Sequence, residues 1–109
     1  MTLKEIVAKC SGLDVHEQRD AEEEYSELVF FSKDTEAWVK VLAEDLGAPV
    51  KPVGTEPTEE HSKLTDEFGG IFANQILFKK EFDNSIVLAM LWPWQDKTHT
   101  TLKLALLKK

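Results

Sequence analysis

The segment of residues 86–94 constrains the fold of this chain more than any other part of its sequence. Nine consecutive apolar residues run from Ile86 to Trp94, and the first polar residue after them is Gln95. A strand that is apolar on both faces is usually buried on both faces. The segment therefore predicts a central strand that anchors the hydrophobic core.

This strand is predicted to be the middle of three consecutive strands between residues 71 and 107. Before it, apolar residues alternate with polar ones around Ile76 and Phe78, and Asp83-Asn84 then indicates a two-residue hairpin turn. After it, residues 95–97 turn the chain again, and Leu102, Leu104 and Leu106 alternate with other side chains. The pattern predicts an antiparallel three-strand meander.

The first 70 residues predict one more strand and three helices. Aromatic and β-branched residues in segment 25–31 indicate the strand. Helical spacing of apolar residues predicts helices over 3–10 and from about residue 34 to Leu46, and Thr58 begins a helix that extends to Phe68. Segment 14–24 is strongly polar without an apolar period, which indicates a loop or a solvated helical turn.

The predicted fold class is α+β, in a single domain over residues 1–109. The order α-β-α-α-β-β-β predicts a mainly antiparallel four-stranded sheet, made of the C-terminal meander and the earlier strand, with the helices packed on one face. The earlier strand is expected beside an end of the meander, because splitting a hairpin is the rarer topology. The last strand, 98–107, is expected to leave a free edge.

Charge and cysteine content narrow the class of protein. Residues 1–70 carry 7 Lys/Arg and 17 Asp/Glu, a balance of −10, while residues 71–109 carry a balance of +3. The acidic part argues against binding a nucleic-acid backbone. No apolar run approaches the roughly 20 residues that a membrane span needs, and the N-terminus does not resemble a secretory signal. Cys10 is the only cysteine, which favours a reducing cytoplasm.

No catalytic or metal-binding motif emerges from the sequence. Cys10 falls on the apolar stripe of the first predicted helix, which favours a core position over a nucleophile. His16, His61 and His99 are far apart, and Glu59-Glu60-His61 does not gather three ligands on one helix face. We therefore expect no cofactor and no metal. An enzyme that uses His61 or His99 as a general base with a carboxylate is kept as a minor hypothesis.

Trp92-Pro93-Trp94 is the motif that most suggests a role beyond folding. Both indoles share one side of the strand, and Pro93 lacks a backbone donor, so strand pairing should weaken there. The tryptophans either pack in the core beneath helices or line a pocket or an interface, where tryptophan is enriched. The candidate binding residues are Trp92, Trp94, Phe68 and His61.

The leading functional hypothesis is a small cytoplasmic interaction or regulatory module without enzymatic activity. A protein partner or a second copy of the chain would pair with the free C-terminal edge strand. The alternative is a small-molecule-binding domain, with an aromatic pocket between the sheet and the 58–68 helix, near the Trp-Pro-Trp strand end.

Overall fold

The sheet of this chain has five antiparallel strands, one more than the sequence predicts. The structure is a computed structural model that describes residues 2–108. Its strands are β1 (Glu17–Ala21), β2 (Tyr25–Phe31), β3 (Ile76–Glu81), β4 (Ser85–Pro93) and β5 (His99–Lys108), arranged in the order β1-β2-β5-β4-β3. The helices are α1 (Leu3–Lys9), α2 (Thr35–Leu46) and α3 (Glu59–Thr65), and the 3-10 turn Asp66–Phe68 follows α3. The α+β class is confirmed.

The predicted free edge at the C-terminal strand is wrong. β5 lies in the middle of the sheet and pairs with β2 on one side and β4 on the other. The early strand β2 does stand beside the end of the meander, as expected, and by doing so it covers the edge that was predicted to be free. The edges of the sheet are β1 and β3.

The polar segment 14–24, predicted to be a loop or helical turn, contains the edge strand β1. Its five residues are mostly exposed on both sides, so the strand has no alternation of apolar side chains by which it could be recognised. Backbone pairing with β2 holds it, with a register shift around Arg19. The amide of Gln18 spans this irregularity by donating to the carbonyls of Asp20 and Glu27. The observed element order is α-β-β-α-α-β-β-β.

Helices α1 and α2 cover one face of the sheet. Thr2 accepts a hydrogen bond from the Glu5 amide at the start of α1. Trp38 of α2 is fully buried and stacks on Phe30 of β2, with 4.7 Å between ring centroids. This layer holds most of the core, including Cys10. No helix within residues 2–108 is long and apolar enough to cross a membrane.

The third helix lies on the opposite face, which corrects the prediction that all helices share one face. Leu64 of α3 and Phe68 pack against a second, smaller buried cluster formed by Ile71, Leu77, Leu88, Met90 and Ala105. The central strand needs both layers because its side chains point alternately to the two faces. Its residues 87–91 are buried on both sides, as the uninterrupted apolar run predicts.

Candidate functional site

The sheet face that carries α3 also carries a row of aromatic side chains, which we call the aromatic face. It comprises the rings of Tyr25, Phe31, Phe68, Trp92, Trp94 and His99. α3 and the turn after it cover part of this face, from β3 and β4 as far as Tyr25 of β2, on which the Phe68 ring stacks. The indoles of Trp92 and Trp94 are therefore neither fully buried nor fully exposed.

Of the four candidate residues from the sequence, the structure brings Trp92 and Phe68 together. Both pack on the smaller buried cluster. Trp94 lies two residues further along the same side of the strand, in a separate group of rings. His61 does not join them: its Nδ1 accepts a hydrogen bond from the Thr58 amide, and the Thr58 hydroxyl accepts from the His61 amide. This reciprocal capping box gives His61 a structural role at the start of α3.

Lys103 links Trp92 to Phe68. Its Nζ lies 3.4 Å from the centroid of the Trp92 ring and donates a 2.8 Å hydrogen bond to the Phe68 carbonyl. Burial lowers the pKa of Lys103, an effect that the carboxylate of Glu27 opposes. Gly69 makes the arrangement possible, because a Cβ at that position would lie 2.5 Å from the Trp92 Cη2 atom. Lys103 thus fixes the turn after α3 onto the sheet.

A shallow groove opens beside Lys103, and we call it the Tyr25–Phe68 groove. The two rings are nearly parallel, 6° apart, with 5.7 Å between their centroids. The groove is open to solvent and has a volume of about 530 Å³. It is lined by Glu22, Tyr25, Glu67, Phe68, Gly69 and Lys103. Its walls combine apolar rings with charged groups of both signs, a composition suited to binding an amphipathic group.

The hydroxyl of Tyr25 is fixed at the base of this groove. It donates a 2.5 Å hydrogen bond to Oε1 of Glu27. Burial raises the pKa of Tyr25, and the hydrogen bond to Glu27 raises it further. The phenol therefore stays protonated at neutral pH and acts as a hydrogen-bond donor, not as a base.

A second group of rings surrounds Trp94 at the hairpin between β4 and β5. The indole Nε1 donates a 2.8 Å hydrogen bond to the Thr101 hydroxyl, and the ring lies 4.9 Å from that of His99. The guanidinium carbon of Arg19, from β1, lies 5.2 Å from the Trp94 centroid. These contacts hold the indole in one orientation while leaving part of it open to solvent.

His99 connects this hairpin to the start of β1. Its ring lies 4.7 Å from that of His16 and 5.3 Å from that of Phe31, and its Nδ1 lies 2.7 Å from Oδ2 of Asp96. The hydrogen bond from His99 holds the pKa of Asp96 at about 2, assisted by the Thr98 amide. A partly exposed histidine beside a carboxylate is an arrangement that general acid–base catalysis uses.

The single cysteine of the chain lies in the other layer of the fold, away from His99. Cys10 is 3% exposed and lies in the core beneath α1 and α2. Burial raises the pKa of its thiol to about 11, with a smaller effect from Asp45. The thiol is therefore protonated at neutral pH, which supports the predicted core position. Across residues 2–108, no three His, Cys, Asp or Glu side chains are placed to hold a metal ion.

Several residues on or beside the aromatic face could not be recognised in the sequence. Tyr25 becomes a neighbour of the C-terminal strands only because β2 pairs with β5, across 68 to 80 residues of chain. His16 and Arg19 follow because β1 pairs with β2. Lys103 did leave a signal, since it is a single charged residue within an otherwise apolar run from Leu102 to Leu107. A lysine in such a run is expected to place its stem or ammonium against an apolar or aromatic surface.

Comparisons with known proteins give no match: no protein-family model, no curated protein and no solved structure is significantly similar to this chain.

Proposed function

We propose that this chain is a small module, without enzymatic activity, that binds a protein partner through its aromatic face. The observation that carries this proposal is the row of partly exposed rings on one sheet face, which includes Trp92 and Trp94. Tryptophan, tyrosine and arginine dominate the residues that contribute most binding energy at protein interfaces. A cytoplasmic location is part of the proposal, supported by the single cysteine.

The rings are already held in place, which favours binding. Lys103 and Gly69 fix Trp92, and the Thr101 hydroxyl fixes Trp94. Immobilising a flexible side chain at an interface costs about 0.5–1.5 kcal/mol, and rigid aromatic residues avoid much of that cost. The aromatic face therefore replaces the C-terminal edge as the proposed interaction surface, since β5 is paired on both sides.

The experiment is affinity capture from a lysate of the source cell, using the wild-type chain, Trp94→Ala and Phe72→Ala. Phe72 is 57% exposed and is not a member of the aromatic face, so it provides a matched aromatic control. We expect specific partners to be captured by the wild type and by Phe72→Ala but lost with Trp94→Ala. Equal capture by all three folded proteins, or no specific capture by the wild type, would contradict the proposal.

A second candidate function is small-molecule binding in the Tyr25–Phe68 groove. Its volume of about 530 Å³ is within the usual range for ligand pockets. The groove is open on one side, which favours a protein segment over a fully enclosed metabolite. A thermal-shift and tryptophan-fluorescence screen of metabolites tests this candidate, and the absence of any response removes it.

A further inference from the structure

We propose that the partner presents a basic segment, and that one of its Lys or Arg side chains lies in the Tyr25–Phe68 groove between Glu22 and Glu67. This inference rests on the proposed function, because it names the chemistry of the partner that the aromatic face would bind. The shape of the groove, the contacts of its charged groups and the charge of the surrounding surface support it.

The charged groups that line the groove are not equally available to a ligand. The ammonium of Lys103 is held by the Phe68 carbonyl and the Trp92 ring. Glu22 and Glu67 are exposed, and neither forms an ion pair with another residue in the range 2–108. An incoming cation would therefore meet two carboxylates without having to displace an existing partner.

Two basic side chains of the protein itself already lie over rings of the aromatic face. Lys103 lies over Trp92 at 3.4 Å, and Arg19 lies over Trp94 at 5.2 Å. Each is a cation–π contact between a basic side chain and a ring on the aromatic face. The Tyr25 and Phe68 rings form a third aromatic surface, and it lines the groove together with the two carboxylates. A guanidinium or an ammonium from a partner would repeat the pattern.

The electrostatic field of the chain favours the same class of partner. The chain carries a formal net charge of −7, and the turn between β1 and β2 adds Glu23 next to Glu22. Glu24 in the same turn is paired with Lys108 at 3.1 Å. A negative field attracts basic segments and speeds their encounter with the protein, and salt weakens it.

The test uses a fluorescein-labelled penta-arginine peptide, a penta-glutamate peptide of equal length and fluorescence anisotropy. The double variant Glu22→Gln/Glu67→Gln removes the two carboxylates of the groove. The matched control Glu36→Gln/Glu44→Gln makes the same change in net charge on exposed positions of α2, on the other face. We expect the wild type to bind only the arginine peptide, and the groove variant to bind about tenfold more weakly, since charge-assisted contacts are the stronger ones. The α2 variant should stay within about twofold.

Three outcomes would overturn the inference. The first is equal weakening by both double variants, which would show a general effect of net charge. The second is binding of free arginine amide as tightly as the peptide, which would indicate a site for a small cation instead of a segment. The third is no binding of the arginine peptide. Any of these leaves the Trp94-dependent capture of a partner intact, so the two proposals fail separately.

Discussion

At the scale of single residues, Lys51 shows how a charge can be buried for a structural purpose. It is 1% exposed, and its ammonium donates hydrogen bonds to the carbonyls of Pro52, Ala73 and Gln75 at 3.0, 3.1 and 2.6 Å. Its backbone also bridges Leu77 of β3. All three protons of the ammonium have acceptors. This lysine therefore joins the segment between α2 and α3 to the edge of the sheet.

We expect Lys51→Met to destabilise the protein by about 1–3 kcal/mol, because the buried carbonyl of Gln75 loses its donor. The carbonyls of Pro52 and Ala73 keep hydrogen bonds from the Thr55 hydroxyl and the Gly54 amide. The measurement is urea unfolding at neutral pH. Lys40→Met on the exposed side of α2 is the control and should change the stability by no more than about 0.5 kcal/mol. Equal stability of Lys51→Met and the wild type would show that the hydrogen bonds of this ammonium only balance its desolvation.

Gly69 is the residue on which the position of Trp92 depends. It has a φ of +100°, and an added Cβ would lie 2.5 Å from Trp92 Cη2. Gly70, with a φ of +84°, has open space around the same position. Gly70→Ala should therefore cost about 1–3 kcal/mol of backbone strain alone. Gly69→Ala should cost more and alter tryptophan fluorescence, because the indole must move away from Lys103.

This pair of alanine variants separates packing from backbone strain. Thermal unfolding gives the two stabilities, and the emission maximum reports the indole environment. If the two variants are equally stable and emit alike, Gly69 is not required for close packing of Trp92, and the turn after α3 would have to be held by Lys103 alone.

At the scale of elements, the β4–β5 hairpin is stabilised by a charged turn. Oδ1 of Asp96 accepts hydrogen bonds from the amides of Thr98 and His99 at 2.8 and 3.1 Å, while Oδ2 lies 2.7 Å from the His99 ring. These contacts hold the pKa of Asp96 at about 2, below its ordinary value of 3.8. The unfolded chain therefore takes up this proton at a higher pH than the folded chain does.

The stabilisation from ionised Asp96 is complete above about pH 5 and is lost as the pH falls through the ordinary value of 3.8 towards 2, by proton linkage. Asp96→Asn should lower the melting temperature at pH 5–7, and its difference from the wild type should shrink between about pH 5 and 2. Melting temperatures across this range provide the check, with Asp83→Asn in the other hairpin turn as control. A constant difference down to pH 2 would mean that the carboxylate charge does not stabilise this turn.

The elements also show which parts of the fold a sequence can predict. The meander was predictable because buried strands leave apolar runs and alternations, and α2 because its apolar stripe ends at Gly47. Strand β1 was not predictable, because an exposed edge strand is held by backbone pairing and carries no pattern of apolar residues. The sheet face on which α3 packs was also not predictable, because a narrow apolar stripe of Leu64 and Phe68 can pack on either side of the sheet.

The candidate site was predictable only in its tryptophans and Phe68. A Trp-Pro-Trp strand end is visible in one stretch of sequence, and Phe68 is one of the few apolar residues of its helix. The roles of Tyr25, Lys103 and His99 depend on the pairing of β2 with β5, which is set by the whole sheet. His61 was assigned to the site because it shares a side of the predicted helix with Leu64 and Phe68, yet it is used as a helix cap.

At the scale of the whole molecule, the two layers on the sheet differ in size. Among residues 2–108, the layer formed with α1 and α2 contains fourteen buried apolar residues, and the layer formed with α3 contains five. Local stability follows the amount of buried apolar surface, and segments with few such contacts open first. One wall of the Tyr25–Phe68 groove, formed by Glu67, Phe68 and Gly69, belongs to the smaller layer.

We therefore expect α3 and the turn after it to open without unfolding of α2. In native-state hydrogen exchange, the amides of α3 should show an opening free energy about 1–3 kcal/mol below that of the α2 amides, in the range of sub-global opening. A bound arginine peptide should raise the value for α3 and leave that for α2 nearly unchanged, because the peptide contacts only the groove. Equal values for both helices in the free protein would show one cooperative unit, in which the groove is as rigid as the core.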